Sequence, residues 1–269
     1  MRNFVTKTAY AALVGLSHLA LDRYGPRVVG VSGTMGVAIT GQAITAVLSH
    51  AYRVRTTLAR DDDDGFFFAI LNLKIQIRGV FAAFLAVPYA VGLATASRKS
   101  RYPEALVLTY GKEGSGRVRE LLRIARPTIA VLTSFAGIQF LSDDAKPDGV
   151  RLLESLTSGG YAVLNIDDQG IARAGDRTRG KILTFGFHPS ADMRIMNYGE
   201  RDEGDRETGI FFKLHYGGSF VPIRMRGVQG REFAYAAAAS AAVGVAFGIN
   251  LLQIAETLSK ADLLKNTRA

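Results

Sequence analysis

Short runs of β-branched and apolar residues alternate with stretches of helical spacing along most of this chain. Arg27–Ser32 (RVVGVS) reads as a buried strand that runs into Gly33. Gly36–His50 follows with apolar residues at helical spacing through Ile39, Ala43, Ile44 and Val47. Strands are predicted at Tyr52–Leu58, Ala105–Tyr110, Thr128–Thr133, Tyr161–Asn165 and Lys181–Phe185. Helices are predicted at Val118–Ala125, stopped before Pro127, and at Gly149–Leu156, ended by Ser158-Gly159-Gly160. Strands separated by helices build parallel βαβ units, so the pattern predicts an α/β fold with a mostly parallel sheet and flanking helices.

The texture changes after residue 190. Met193–Tyr198, Gly209–Tyr216 and Phe220–Met225 alternate with period two, and Gly217-Gly218 offers a hairpin turn. The charged loop Glu200–Glu207 separates the first two. An Ala-rich helix and a final helix, Leu251–Lys265, close the chain. The expectation is a small antiparallel β region plus C-terminal helices on the parallel core. The implied divisions are an N-terminal amphipathic helix and linker (1–24), a central domain (25–257) and a tail (258–269).

Two uncharged stretches meet the length rule for a membrane helix. Gly79–Ser97 has nineteen residues and Phe233–Ala255 twenty-three. Pro88 interrupts the first, and the second is mostly Ala and Gly, which bury little apolar area. Both read better as core helices than as spans, membrane association being the alternative. The N-terminus has no long apolar run before a small-residue cleavage site, which points to the cytoplasm.

The chain has 269 residues, no Cys and four scattered His. Disulfides, thiol nucleophiles and Cys-ligated metals are excluded, and no His spacing suits a metal. The net charge is +9, which suits an anionic partner. A nucleic acid is not expected: no recognition motif is present, and no aromatic interleaving of a basic stripe shows along the chain.

The strand–turn–helix Val31–Gln42 (VSGTMGVAITGQ) is the geometry that presents backbone N–H groups to a phosphate. Gly33, Thr34, Met35, Gly36, Val37 and Ala38 are therefore the candidate nucleotide-binding residues. A working P-loop has Lys and Ser or Thr after its last glycine, for the phosphates and for Mg2+. Here Val37 and Ala38 stand in those places.

The run Arg27–Ala59 resembles the start of the central, ATP-binding domain of the Mur ligases. So do, in order, Ala105–Gly111, Ala125–Ser134, Leu152–Asp168, Ile182–Gly186 and Val221–Ile249. The branch most similar is the one that adds D-alanyl-D-alanine to a UDP-muramoyl-tripeptide. The resemblance covers about residues 25–257 and implies a P-loop-like fold, ATP as cofactor, and formation of an amide through an acyl phosphate. It implies a nucleotide as ligand, with a UDP-muramoyl-peptide or a cell-wall ligase chain as partner. It also implies losses. The family's acidic Mg2+ ligand falls on Thr109, its His-Leu-Glu on Gln139-Phe140-Leu141, and its carbamylated lysine near Gly149, with Lys146 close by. Asp61–Asp64 occupies the place of an Asn-rich loop. Asn165, with Asp167-Asp168, retains the segment where the family holds adenine. The expectation is thus a Mur-type domain with its ligase chemistry eroded, little left to hold Mg2+, and no assigned catalytic residue. The alternative is a non-catalytic module that binds nucleotide or a partner.

Overall fold

The computed structural model describes residues 2–57, 63–71, 102–112, 117–135, 147–201, 208–261 and 263. The stretch Gly79–Ser97, the residues Gln139–Leu141 and Lys146, and Asp61 and Asp62 lie outside them. Helix α1 (Arg2–Tyr24) leads into β1 (Arg27–Gly33), α2 (Val37–Ser49), β2 (Val54–Thr56), α3 (Asp63–Ile70) and β3 (Ala105–Lys112). Then come α4 (Val118–Ile124), β4 (Ile129–Leu132), α5 (Asp148–Glu154), β5 (Tyr161–Asn165), α6 (Gln169–Ala174) and β6 (Lys181–Gly186). The chain continues through β7 (Met193–Arg201), β8 (Gly209–Tyr216), β9 (Ser219–Arg226), α7 (Arg231–Ala246) and α8 (Leu251–Lys260). Of the predicted strand Tyr52–Leu58, Leu58 lies outside the described residues, and β2 at the sheet edge holds three of the rest.

One nine-stranded sheet holds these strands in the order β2-β3-β1-β4-β5-β6-β7-β8-β9. β1 to β7 pair in parallel with their neighbours, and β7-β8-β9 is an antiparallel coda. Right-handed crossovers decide which face each helix covers. The step from β1 to β2 runs one way along the sheet and lays α2 on one face. The later steps, from β2 to β3 and on to β6, run the other way, so α3, α4, α5 and α6 fall on the opposite face. The core divides accordingly. Val29, Val31, Val131 and Val163 pack with Ile44 and Leu48 of α2 and with α7. Val28, Leu106, Leu108 and Leu132 pack with Phe66, Leu121, Val150 and Leu153. The period of two in each strand supplies both faces.

Helix α1 rests on the second face. Leu13, Val14 and Leu21 pack against that core, and Tyr10 meets Phe67 edge to face at 5.4 Å. His18 Nε2 lies 2.6 Å from the Arg123 carbonyl oxygen.

The apolar stretch Phe233–Ala255 is two helices. At the end of α7 the Gly248 N–H donates to Val245 O (2.8 Å) and the Ile249 N–H to Gly244 O (2.9 Å). Gly248 takes φ +85°, so this is a Schellman stop. Asn250 then caps α8, its side chain accepting from Leu252 N at 2.8 Å. The Arg27 guanidinium donates to Ala246 O (2.9 Å) and sits 3.7 Å from the Phe247 ring centroid. Burial lowers the Arg27 pKa from its ordinary value. Small residues on α7 let it approach its neighbours closely. A Cβ on Gly244 would meet Ile254 Cδ1 at 2.7 Å and Val47 Cγ1 at 2.9 Å. Among the described residues no helix is long and apolar enough to cross a membrane.

The Gly248 stop sets a stability test. Gly248→Ala forces an L side chain into the left-handed region, at a cost of about 1–2 kcal/mol. For a domain of this size that lowers Tm by roughly 2–4 °C per kcal/mol. Gly248→Asn, which tolerates the conformation, is expected to lose distinctly less; equal losses for the two variants would refute the stop.

Candidate nucleotide site at the glycine turn

The sheet order fixes where a ligand can enter. Outgoing connections from the neighbours β1 and β4 diverge, so a crevice opens at their carboxyl ends. The turn Gly33–Gly36 leaves β1 on one side of it, and Thr133–Phe135 leaves β4 on the other.

The turn is bolted to the end of β4. Thr34 donates to Ser134 O through its N–H (2.8 Å) and its hydroxyl (3.1 Å). The Thr133 hydroxyl donates to Met35 O at 2.6 Å. A Cβ on Gly33 would lie 2.2 Å from Thr133 Oγ1, so only glycine permits this approach. Gly36 takes φ +73°, ψ 2° and starts α2, where Thr40 N donates to Gly36 O at 2.9 Å. No side chain caps α2 and no acid stands in its first turn. Met35 is 68% exposed, Ala38 is exposed, and Val37 packs partly into the core. The Ser32 hydroxyl, just before the turn, is buried without a hydrogen-bond partner.

The structure brings Asn165 to the same place. Its side-chain amide donates to Thr133 O at 2.9 Å, and its Oδ1 accepts from Asp167 N at 3.1 Å. Thr133 therefore joins the turn to the end of β5. Asn165 is 7% exposed, and these bonds commit it to holding strand ends together.

The two following aspartates form a latch that the sequence reading passed over. Asp168 caps α6 by accepting from Gly170 N (2.9 Å) and Ile171 N (3.2 Å). Its other oxygen accepts from Ser134 Oγ (3.1 Å) and Phe135 N (2.7 Å). Asp167 accepts from Phe187 N (2.6 Å), His188 N (2.8 Å) and the Tyr235 hydroxyl (2.8 Å). Burial and the bond to Asp167 push the Tyr235 phenol well above its ordinary pKa, so it stays a donor. Together the pair ties β4, β6 and α7 to the end of β5. The signal in the sequence was Asp-x-Gly at a helix start, which marks an N-cap.

The positions matched to charged groups are neutral here. Thr109 lies 2.9 Å from the Thr57 hydroxyl, and its N–H donates to that oxygen at the same distance. Two hydroxyls thus satisfy each other at the position where the sequence reading put the loss of the family's acidic ligand. A side chain at Gly149 has no room, since its Cβ would meet Phe135 Cε1 at 2.7 Å and Leu132 Cδ2 at 2.9 Å. Among the described residues no group of three His, Asp or Glu could hold a metal. The uncapped α2 start is suited to a phosphate; the described residues around it are not suited to Mg2+.

Removing the latch has a measurable cost. Asp168→Ala removes the acceptor used by the Phe135 amide, the Ser134 hydroxyl and the α6 start, and about 2–4 kcal/mol of stability should be lost. Urea unfolding gives the value, and a loss below about 0.5 kcal/mol, the range of an ordinary surface substitution, would remove the latch from the account.

Comparison with known proteins agrees with this geometry. The model of the Mur ligase middle domain matches residues 31–244. The UDP-N-acetylmuramoyl-tripeptide–D-alanyl-D-alanine ligase of Bacillus subtilis (strain 168) is 26% identical over 253 residues, 92% of this chain and 47% of that protein. A crystal structure of MurF from Acinetobacter baumannii superposes with TM-score 0.70 at 16% identity, covering 93% of this chain and 49% of that one. MurF ligase from Thermotoga maritima in complex with ADP gives TM-score 0.63 at 19% identity, covering 90% and 51%. The chain spans about half the length of these relatives. With the fold, the glycine turn and the family match in register, this chain belongs to the Mur ligase middle domain family.

Proposed function

We propose that this chain is a Mur-type nucleotide-binding module whose amide-forming chemistry is eroded. One observation carries the reading. The turn has the strand–glycine–helix shape that suits a phosphate, while Val37, Ala38 and Thr109 are neutral where the resemblance places charged or metal-binding groups. Backbone N–H groups of Gly36, Val37 and Ala38 would hold the phosphates of ATP or ADP at the uncapped start of α2. Bound ATP would supply a transferable phosphoryl group. Transfer to a carboxylate develops charge on phosphoryl oxygens, and enzymes neutralise it with Lys and Mg2+. Val37 and Ala38 supply neither a cation nor a hydroxyl, and Thr109 is engaged with Thr57. Losing one such group costs on the order of 3–4 kcal/mol of barrier. Several losses are not additive, yet they leave little of the rate.

A UDP-muramoyl-peptide or a ligase chain of cell-wall synthesis is the partner this reading favours, on the cytoplasmic side. It follows from the relative that adds D-alanyl-D-alanine, of which this chain spans 47%. The reading of a complete ligase assembled with further segments draws on the same coverage. The eroded site argues against it.

Calorimetry with ATP and ADP, with and without Mg2+, tests the proposal. The native chain is expected to bind both nucleotides with little gain from Mg2+. Ala38→Glu puts a carboxylate beside the phosphates at an exposed position, so it should weaken binding at least tenfold while Tm holds. Val37→Lys/Ala38→Thr should restore a Mg2+ dependence. The absence of nucleotide binding by the native chain at millimolar concentration would overturn the proposal, as would release of phosphate at a ligase-like rate.

A further inference from the structure

The antiparallel coda has two unlike faces. Met193, Ile195, Ile210, Phe212, Leu214, Ile223 and Met225 point inward and share a core with α7. The other face carries no crossover helix, because hairpins join β7, β8 and β9. Register arranges it in rows across the three strands. Arg194, His215 and Phe220 form one row, and Met196, Lys213 and Pro222 the next. Phe211 and Arg224 follow beside Gly199, and Arg201 and Arg226 flank Gly209.

This face is cationic and aromatic together. Phe220 is 64% exposed and Phe211 39%. Lys213 Nζ lies 5.4 Å from the Phe220 ring centroid, and Arg201 Cζ lies 5.8 Å from that of Phe211. Arg194 Nε is buried without a hydrogen-bond partner. Among the described residues no carboxylate pairs with these cations. Asp192, at the entry to β7, is taken by the amide and hydroxyl of Thr184 at 2.8 and 2.7 Å. Glu200 is held by the Tyr198 hydroxyl.

We propose that this face binds single-stranded nucleic acid. Bases stack on Phe220 and Phe211, and phosphates meet Lys213, Arg224 and Arg226. Sheet faces that set aromatic rings among cations recognise unpaired bases in this way. The two rings stand four residues apart along the strands, about 13 Å, with Lys213 between them. An acidic peptide would use the cations and leave the exposed rings idle. A duplex keeps its bases stacked and cannot offer them. This reverses the expectation drawn from the linear sequence. The interleaving arises only when Phe-x-Lys-x-His of β8 is laid beside Phe-x-Pro-x-Arg-x-Arg of β9.

Fluorescence anisotropy of the full chain with a labelled oligouridylate of about twelve nucleotides tests the proposal. Binding is expected at about 50 mM salt, falling steeply toward about 200 mM. Phe220→Ala should weaken it by about five- to a hundredfold. Lys213→Gln/Arg224→Gln should flatten the slope of log K against log salt by about 1.4. All three positions are exposed, so thermal melting is expected to match the parent. Three results would overturn the proposal. They are no binding at low salt, displacement by polyglutamate with no effect of Phe220→Ala, and loss of binding on adding ATP or in Ala38→Glu. The second makes the face a site for an acidic polypeptide; the third moves the RNA to the glycine turn.

Discussion

Gly33 and Thr133 come so close that a single methyl group between them would collide with a hydroxyl oxygen. The contact joins the end of β1 to the end of β4 across the crevice where the sheet reverses its connections. From Thr133 the constraint spreads in two directions. Its hydroxyl fixes the Met35 carbonyl and hence the turn, and its carbonyl takes the Asn165 amide and hence the end of β5. Asp168 and Asp167 carry it on to α6, β6 and α7. Four strand ends and two helices are thus held by a short chain of polar contacts, each partly or wholly out of water. Such networks are costly when incomplete, which is why every member here has its partners.

The parallel core was legible because its strands are short apolar runs and its helices keep a 3.6-residue period. The order of strands was not, since order depends on which crossovers are long enough to skip a neighbour. The start of β2 was placed too early because Tyr52 looks like a strand residue. In fact Tyr52 turns its hydroxyl to the Phe247 carbonyl and packs against that ring. The end of the Ala-rich helix could be read from Gly248 and Asn250 once a capping rule was applied instead of a hydropathy window. At the site, Gly33 and Gly36 were identifiable from their spacing alone. The role of Asp167 and Asp168 was not, because their partners lie on four different elements.

What folding requires of the turn is glycine at two positions and hydroxyls beneath it, and all of these are present. Phosphoryl transfer requires charge as well, and Val37, Ala38 and Thr109 carry none. The hydrogen bonds within the Thr57–Thr109 pair offset the cost of burying it, whereas an aspartate there would need a cation to offset its desolvation. That pair therefore needs no ion beside it.

The small side chains of α7 have a mechanical consequence. At Gly244 the missing side chain lets Val47 Cγ1 and Ile254 Cδ1 seat directly on the backbone of α7. The C-terminal half of α2 is thereby seated on α7, with the glycine turn at its far end. A displacement of α7 would press first on that half of α2. The crevice and the coda are distant in sequence, and one helix of alanines and glycines is the common surface on which α2 and the coda strands both rest.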